Sequence, residues 1–223
     1  MIKLSDTTPF AHGNHRKVYR HPDHASRCLK VMTEDWRQCD RRTRANVIAR
    51  LVRPRWHFHE NESELHFSTG LGKRVGSAAW NFVARAHGIV ETDLDPALEV
   101  DLITDHDDGI SLTLKEHVWR HGLTPECEKA LEEFWQLLDE HWVFVEARPD
   151  NLSVKVKADG SCQIYAIDGY AFGQLIPLAK WFRKEQRRVH RKRRAKHERA
   201  LRKILAQRES GEELKGRGIQ EQD

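Results

Sequence analysis

Apolar and polar positions alternate with a period of two near the start of the chain. Lys17-Val18-Tyr19-Arg20 and Arg27-Cys28-Leu29-Lys30-Val31-Met32 flank the turn sequence His21-Pro22-Asp23. Residues 1–35 therefore read as short strands with an antiparallel hairpin among them. The period then lengthens. Ala45, Val47, Ile48 and Leu51, with Asp40 as a cap, predict a helix over 40–51. A second helix is expected to start after Asn61 and to run through Glu64 and Leu65 to Gly70 or Gly72. Strand-like alternation returns over 88–92 and 97–103, on either side of the turn Asp93-Leu94-Asp95-Pro96.

The second half of the chain carries stronger local signals. Thr113-Leu114-Lys115-Glu116 has capping-box spacing and predicts a short helix. Thr124-Pro125 sets a hydroxyl cap before a proline at the first helical position. Ala130, Leu131, Phe134, Trp135, Leu138 and Trp142 then recur at helical spacing and mark a buried face. Residues 152–156 and 163–167 flank Ala158-Asp159-Gly160-Ser161, a hairpin with its turn at the tip. Residues 177–205 read as a helix that is first apolar and then basic, and the polar end from about Gln207 reads as frayed. Strands, helices, strands, helix, hairpin and helix in this order predict an α+β fold.

Charge changes this picture in one place. The chain of 223 residues has a formal net charge of +4, yet residues 183–203 hold twelve Lys or Arg against two Glu. That local +10 leaves −6 on the remainder, a mildly acidic body carrying a basic segment. The basic segment fits a polyanion such as RNA, DNA or an anionic lipid surface, or else packs on the acidic body. Cys28, Cys39, Cys127 and Cys162 are scattered and read as reduced thiols. His57 and His59 would share a strand face, but no thiolate pair or H-E-x-x-H frame supports a zinc site there. No run approaches the length of a membrane span and the first residues carry no secretory pattern, so a cytoplasmic protein is expected.

Two segments carry candidate chemistry. Arg148-Pro149-Asp150-Asn151-Leu152-Ser153-Val154 leads into the second hairpin, and Ile167-Asp168-Gly169 leaves it. A hairpin returns its ends to one place, which brings the Asn151 amide and the Asp168 carboxylate within reach of one hard cation such as Mg²⁺.

Helix, K/R-P-x-N, hairpin and Asp-Gly together resemble the core of the protein-kinase-like superfamily. More specifically, the chain resembles the bacterial PhoP regulatory network protein YrbL family over roughly residues 1–183. The stretches that carry the likeness are Gly13-Asn14-His15-Arg16-Lys17 with His21-Pro22, then GIVETD from Gly88, DLITD from Asp101, and LIPLAKW from Leu175. The resemblance implies a compact two-lobed fold, with a small antiparallel-sheet lobe at 1–104 and a reduced helical lobe at 105–183. A basic helix at 184–205 and a disordered tail at 206–223 would follow.

The resemblance also implies ATP and Mg²⁺ as ligands. Gly13 and Val18 would lie in the place of the glycine-rich loop, and Lys30 would hold the phosphates. Glu64 would pair with Lys30, or else cap its helix from three residues beyond Asn61. Ile103 would belong to the hinge that reads adenine, and Arg148 would meet phosphate or a nearby acid. Asn151 and Asp168 would bind the metal.

The departures are equally specific. Glu146 stands where the family's catalytic aspartate is expected, and Ala11 and Arg16 replace two loop glycines. Few residues separate Asp168-Gly169 from Leu175-Ile176-Pro177, so a full peptide-substrate platform is not expected. Two functions stay open: a phosphotransferase with Glu146 as base and a protein or small molecule as acceptor, or a pseudokinase that acts through its surface and basic tail.

Overall fold

The computed structural model describes residues 1–13, 15–33, 58–146, 148–169, 183–211 and 214. The helix expected over 40–51, His57, Cys39 and the Leu175 motif lie outside the described residues. The fold is mixed, with antiparallel sheet and helices, as the order of elements predicted. It divides into two compact units, one within Met1–Gly76 and Arg85–Leu102, the other within Ser77–Ala84 and Ile103–Gly218.

The first unit is built on five strands: β1 (Ala11–His12), β2 (Arg16–Arg20), β3 (Arg27–Met32), β4 (Ala86–Val90) and β5 (Ala97–Asp101). Their order is β1-β2-β3-β5-β4, and every neighbouring pair is antiparallel. Strand β3 sits at the centre because five of its six residues are apolar or lysine and each face has something to bury against. Leu29 and Val31 join Leu4, Tyr19 and Ala97 in a buried cluster. Alternation sends Lys30 to the opposite face, directly across from Val18 of β2. Helix α1 (Glu60–Val75) packs against β4 and β5 through a face that buries Phe67 and Leu71. Its start is Glu60, slightly earlier than expected, and its N-cap His59 makes no side-chain cap bond.

Strand β4 also starts early. A bulge between Ala86 and Gly88 shifts the alternation. At the other end Thr92 leaves the strand because its hydroxyl accepts from the Leu94 and Asp95 amides and donates to the Asp95 carbonyl.

The second unit contains α2 (Leu114–His121), α3 (Pro125–Glu140), the hairpin β6 (Leu152–Val156) with β7 (Cys162–Ala166), and α4 (Arg183–Glu209). The capping box of α2 is formed in both directions between Thr113 and Glu116. Thr124 accepts from the Cys127 amide at the start of α3, with Pro125 as the first helical residue. Ala130, Leu131, Phe134, Trp135 and Leu138 are buried as the spacing predicted. Trp142 is not part of that face. The helix ends at Glu140, and Trp142 takes a φ of 50° while the Val143 amide reaches back to the Leu138 carbonyl at 2.9 Å. This is the left-handed closure of a helix end that glycine normally supplies.

Helix α4 packs on α2 and α3. Its inner face holds His190, His197, Leu201 and Ile204, all buried, at steps of seven, four and three residues that keep to one side of a helix. Among the described residues no helix is long and apolar enough to cross a membrane. Cys28, Cys127 and Cys162 are free thiols, and burial pushes the Cys28 and Cys127 thiols up to about 12.

Candidate functional site

Lys30 leaves the central strand toward α1 and meets Glu64 there, Nζ to Oε1 at 2.7 Å. Both groups are withdrawn from water, with 7% and 3% of their surface exposed. The same carboxylate receives a second cation. Arg16 Nη1 donates to Glu64 Oε2 at 2.6 Å, and Arg16 is as buried as Lys30, at 6%. Asn61 ties the two bases together. Its amide oxygen accepts from Arg16 Nη1 at 3.2 Å and its amide nitrogen donates to the Lys30 carbonyl at 3.1 Å. Glu60 adds a more distant contact to Arg16 at 3.8 Å and pairs with His15 at 2.9 Å.

This geometry decides between the two arrangements left open for Glu64. Glu64 does not cap its helix; its carboxylate is the hub of a buried ion network. Arg16, which stands in the place of a loop glycine, lies on that hub. Gly13 closes the turn before it, its amide donating to the Arg16 carbonyl at 2.8 Å.

The second unit gathers the other candidates around the feet of the β6–β7 hairpin. The Asn151 carbonyl accepts from the Ile167 amide at 2.9 Å and from the Asp168 amide at 3.4 Å, so the backbone sets Asn151 beside Asp168. The Asn151 side chain donates to the Glu146 carbonyl at 3.2 Å, and the Glu146 amide donates to the Gly169 carbonyl at 3.1 Å. Gly169 has a φ of 84°, and a Cβ there would lie 2.7 Å from Asn151 Nδ2 and 3.0 Å from the Glu146 carbonyl. Only glycine fits both the backbone angle and the space.

With its nitrogen held by Glu146, the Asn151 amide presents its oxygen as the end suited to a cation. The Asp168 carboxylate accepts from the Gly169 amide through Oδ1 at 2.6 Å. An amide oxygen and a carboxylate are donors of the type that hard cations take. Arg148 lies on the nearby acid. It makes a two-pronged contact to Asp150, at 3.0 and 2.6 Å, in an exposed position. The Asp150 hydrogen bond, with the charges of Asp150, Glu146 and Asp168, holds the Arg148 guanidinium above its ordinary value against the opposing effect of burial. Ile103 uses its carbonyl within the unit, accepting from the Ser111 amide at 3.0 Å.

Sequence reasoning missed how α4 meets this region. Arg193 donates to the Val145 carbonyl, Lys196 Nζ stands 3.6 Å from Glu146 Oε1, and Arg194 pairs with Glu132. His190 pairs with Asp139 at 2.6 Å and stacks at an angle on Phe144. The available signal was the recurrence of His190, His197, Leu201 and Ile204 on one helical face, hidden by the density of arginine around it. The basic segment thus packs on its own unit with one face and turns Arg187, Arg188, Arg191, Lys192, Arg199 and Lys203 outward.

One cluster on the first unit has metal-ligand spacing: His21, His24 and Glu99. Its donor chemistry does not fit a cation. His21 Nδ1 accepts from the Asp23 amide at 3.1 Å, so the neutral ring carries its proton on Nε2, the atom facing Glu99. Glu99 is already paired with Arg27 at 2.8 Å. Burial raises the cost of ionising Glu99, but the Arg27 hydrogen bond and charge outweigh it and hold the carboxyl below its usual range.

The family described as PhoP regulatory network protein YrbL matches residues 2–206. The chain belongs to that family. Proteins called YrbL from Escherichia coli strain K12 and from Shigella flexneri are each 29% identical to it over 191 residues, covering 81% of this chain and 79% of theirs. The family match therefore spans both units, from the first strands into α4.

Proposed function

We propose that this member of the YrbL family binds ATP with Mg²⁺ as a reduced, protein-kinase-like protein of the bacterial cytoplasm. The observation that carries the reading is the buried Lys30–Glu64 pair, 2.7 Å apart, on a central strand and the helix beside it. A lysine held in this way presents a fixed, desolvated ammonium to phosphate oxygens. Gly13, in the turn after β1, and Val18, on β2, accompany it in the segment that would cover the nucleotide, and Ile103 is assigned to adenine. In the second unit Asn151 and Asp168 are assigned to the metal, supported by the backbone bonds that hold them side by side. Bound Mg²⁺ would supply charge neutralisation at the phosphates.

Phosphoryl transfer depends on Glu146. As a base it would accept the proton of an acceptor hydroxyl, and Arg148 would steady the transferred group once it left Asp150. The contact between Lys196 Nζ and Glu146 Oε1, at 3.6 Å, favours the pseudokinase alternative, because the carboxylate is then engaged by the chain's own helix rather than by an acceptor hydroxyl.

The deciding experiment is thermal unfolding with and without ATP and Mg²⁺, for wild type and Asp168→Ala. Ligand that binds only the native state raises the midpoint by mass action. A Mg²⁺-dependent rise that disappears in the variant supports the reading; no rise at millimolar ATP overturns it.

A second reading is favoured by the outward face of α4, where Arg187, Arg191, Lys192, Arg199, Arg202 and Lys203 are exposed. Such a stripe fits a polyanion, with duplex nucleic acid as the partner to test. Affinity that falls steeply between about 50 and 200 mM salt supports it, and a salt-independent interaction overturns it.

A further inference from the structure

We infer that Arg16 is a positioning residue that acts as the standing counter-ion of Glu64, so that Lys30 is able to turn from that carboxylate to a phosphate. The inference deepens the nucleotide reading and rests on it for its functional meaning. It rests on the first unit alone for its geometry.

A lysine paired to one buried carboxylate faces a conflict. Each step it takes toward a phosphate leaves the carboxylate less compensated in a medium that stabilises lone charges poorly. Here the carboxylate of Glu64 is divided. Lys30 occupies Oε1 at 2.7 Å and Arg16 occupies Oε2 at 2.6 Å, so the two cations do not compete for one oxygen. The guanidinium is also fixed from other sides. Asn61 accepts from the same Nη1 at 3.2 Å, and Glu60 lies 3.8 Å from Nε. Asn61 holds the strand carbonyl of Lys30 at 3.1 Å, so the backbone of the lysine is anchored independently of the contact its side chain makes with Glu64.

Arg16 comes from the start of β2, where the kinase-like pattern expects a loop glycine. The bulk that departs from the pattern is therefore not idle: it lies folded back on α1. Arginine suits the task because its charge does not titrate and its fork takes several acceptors at once.

The test is a double-mutant cycle in urea unfolding on the full chain, with Lys30→Met imitating a lysine that has left Glu64. While Arg16 remains, Lys30→Met should lower the unfolding midpoint only modestly. In the Arg16→Gln background the same change should lower it at least twice as far, and Arg16→Lys should restore much of the difference. A double variant that fails to fold while both single variants fold is the extreme of the same result. Additive effects of the two substitutions overturn the inference. This cycle contains no nucleotide, so its outcome stands apart from the thermal-shift experiment.

The functional arm is calorimetric titration with Mg²⁺–ATP and with adenosine. Arg16→Gln should weaken ATP binding at least tenfold and leave adenosine affinity within twofold, with Arg16→Lys intermediate. Equal losses for both ligands mean a merely structural arginine and overturn the inference. Absence of ATP binding in the wild type fails the nucleotide reading instead, and the urea cycle then decides whether Arg16 compensates Glu64.

Discussion

The two groups of candidate residues are held by opposite means. In the first unit Lys30, Arg16 and Glu64 are fixed by charge on charge, away from water, with Asn61 binding the frame together. In the second unit Asn151 and Asp168 are fixed by backbone hydrogen bonds across a hairpin foot, closed by a glycine, while their side chains remain partly exposed. The difference lies in what each place tolerates. A buried ion network fails when its hub is removed, because the remaining charges have no water to fall back on. A backbone-held site keeps its shape when a side chain changes, and fails when the chain itself is forced to move.

The sharpest test of the contrast is therefore on the hub. Glu64→Gln should destabilise the protein by about 3–5 kcal/mol in urea unfolding, since Lys30 and Arg16 then share no carboxylate. A loss below about 1 kcal/mol would mean that water reaches these cations after all, and the contrast would collapse. Gly169→Ala comes next. A left-handed φ and a Cβ pressed against Asn151 and the Glu146 carbonyl should cost about 1–3 kcal/mol and displace Asn151 from beside Asp168. By comparison Asp168→Asn should leave the unfolding midpoint nearly unchanged, although it removes a charge from the same place.

A third test uses pH. Burial is the main reason that the histidines His21, His117 and His190 lie below their ordinary value, and for His190 it outweighs the opposing charge of Asp139. The unfolded chain therefore binds protons more readily at these positions than the native one does. The contribution of these histidines to stability should be level above about pH 7 and should fall as pH drops through the ordinary histidine value near 6.5. The slope is at most about 1.4 kcal/mol per pH unit for each histidine. His117→Leu should flatten part of this profile, because His117 is buried and its Nε2 has no hydrogen-bond partner among the described residues. Thr113→Ala should cost about 1 kcal/mol by opening the capping box of α2. The smallest effect belongs to the exposed pair Lys129–Glu133 on α3, where Glu133→Gln should change stability by less than about 0.5 kcal/mol.

Much of the local structure was legible in the chain. The β2–β3 and β6–β7 hairpins, the two capped helices α2 and α3, and the buried face of α3 all follow from residues within a few positions of one another. The adjacency of Asn151 and Asp168 was legible for the same reason, since a hairpin with a marked turn must bring its ends together. Where the reading slipped, a neighbour from elsewhere had intervened. Trp142 fits the helical spacing of α3 but closes the helix instead, with its ring set edge-on to His190 of α4. The phase of β4 moved because of a bulge that alternation alone does not mark.

The sequence by itself determined the caps, the turns, the alternation of β3 and so the face from which Lys30 leaves the sheet. It also determined that Gly169 would follow Asp168 at a foot of the hairpin. What only the tertiary structure decided is which charge answers which. Glu64 meets Lys30 across 34 residues and Arg16 across 48, and the basic helix spends Arg193 and Lys196 on the segment at Val145 and Glu146. Local elements form through interactions of short range, and so are written in short stretches of chain. A charge is compensated by whatever cation shares its space out of water, and that space exists only once the sheet and helices have enclosed it.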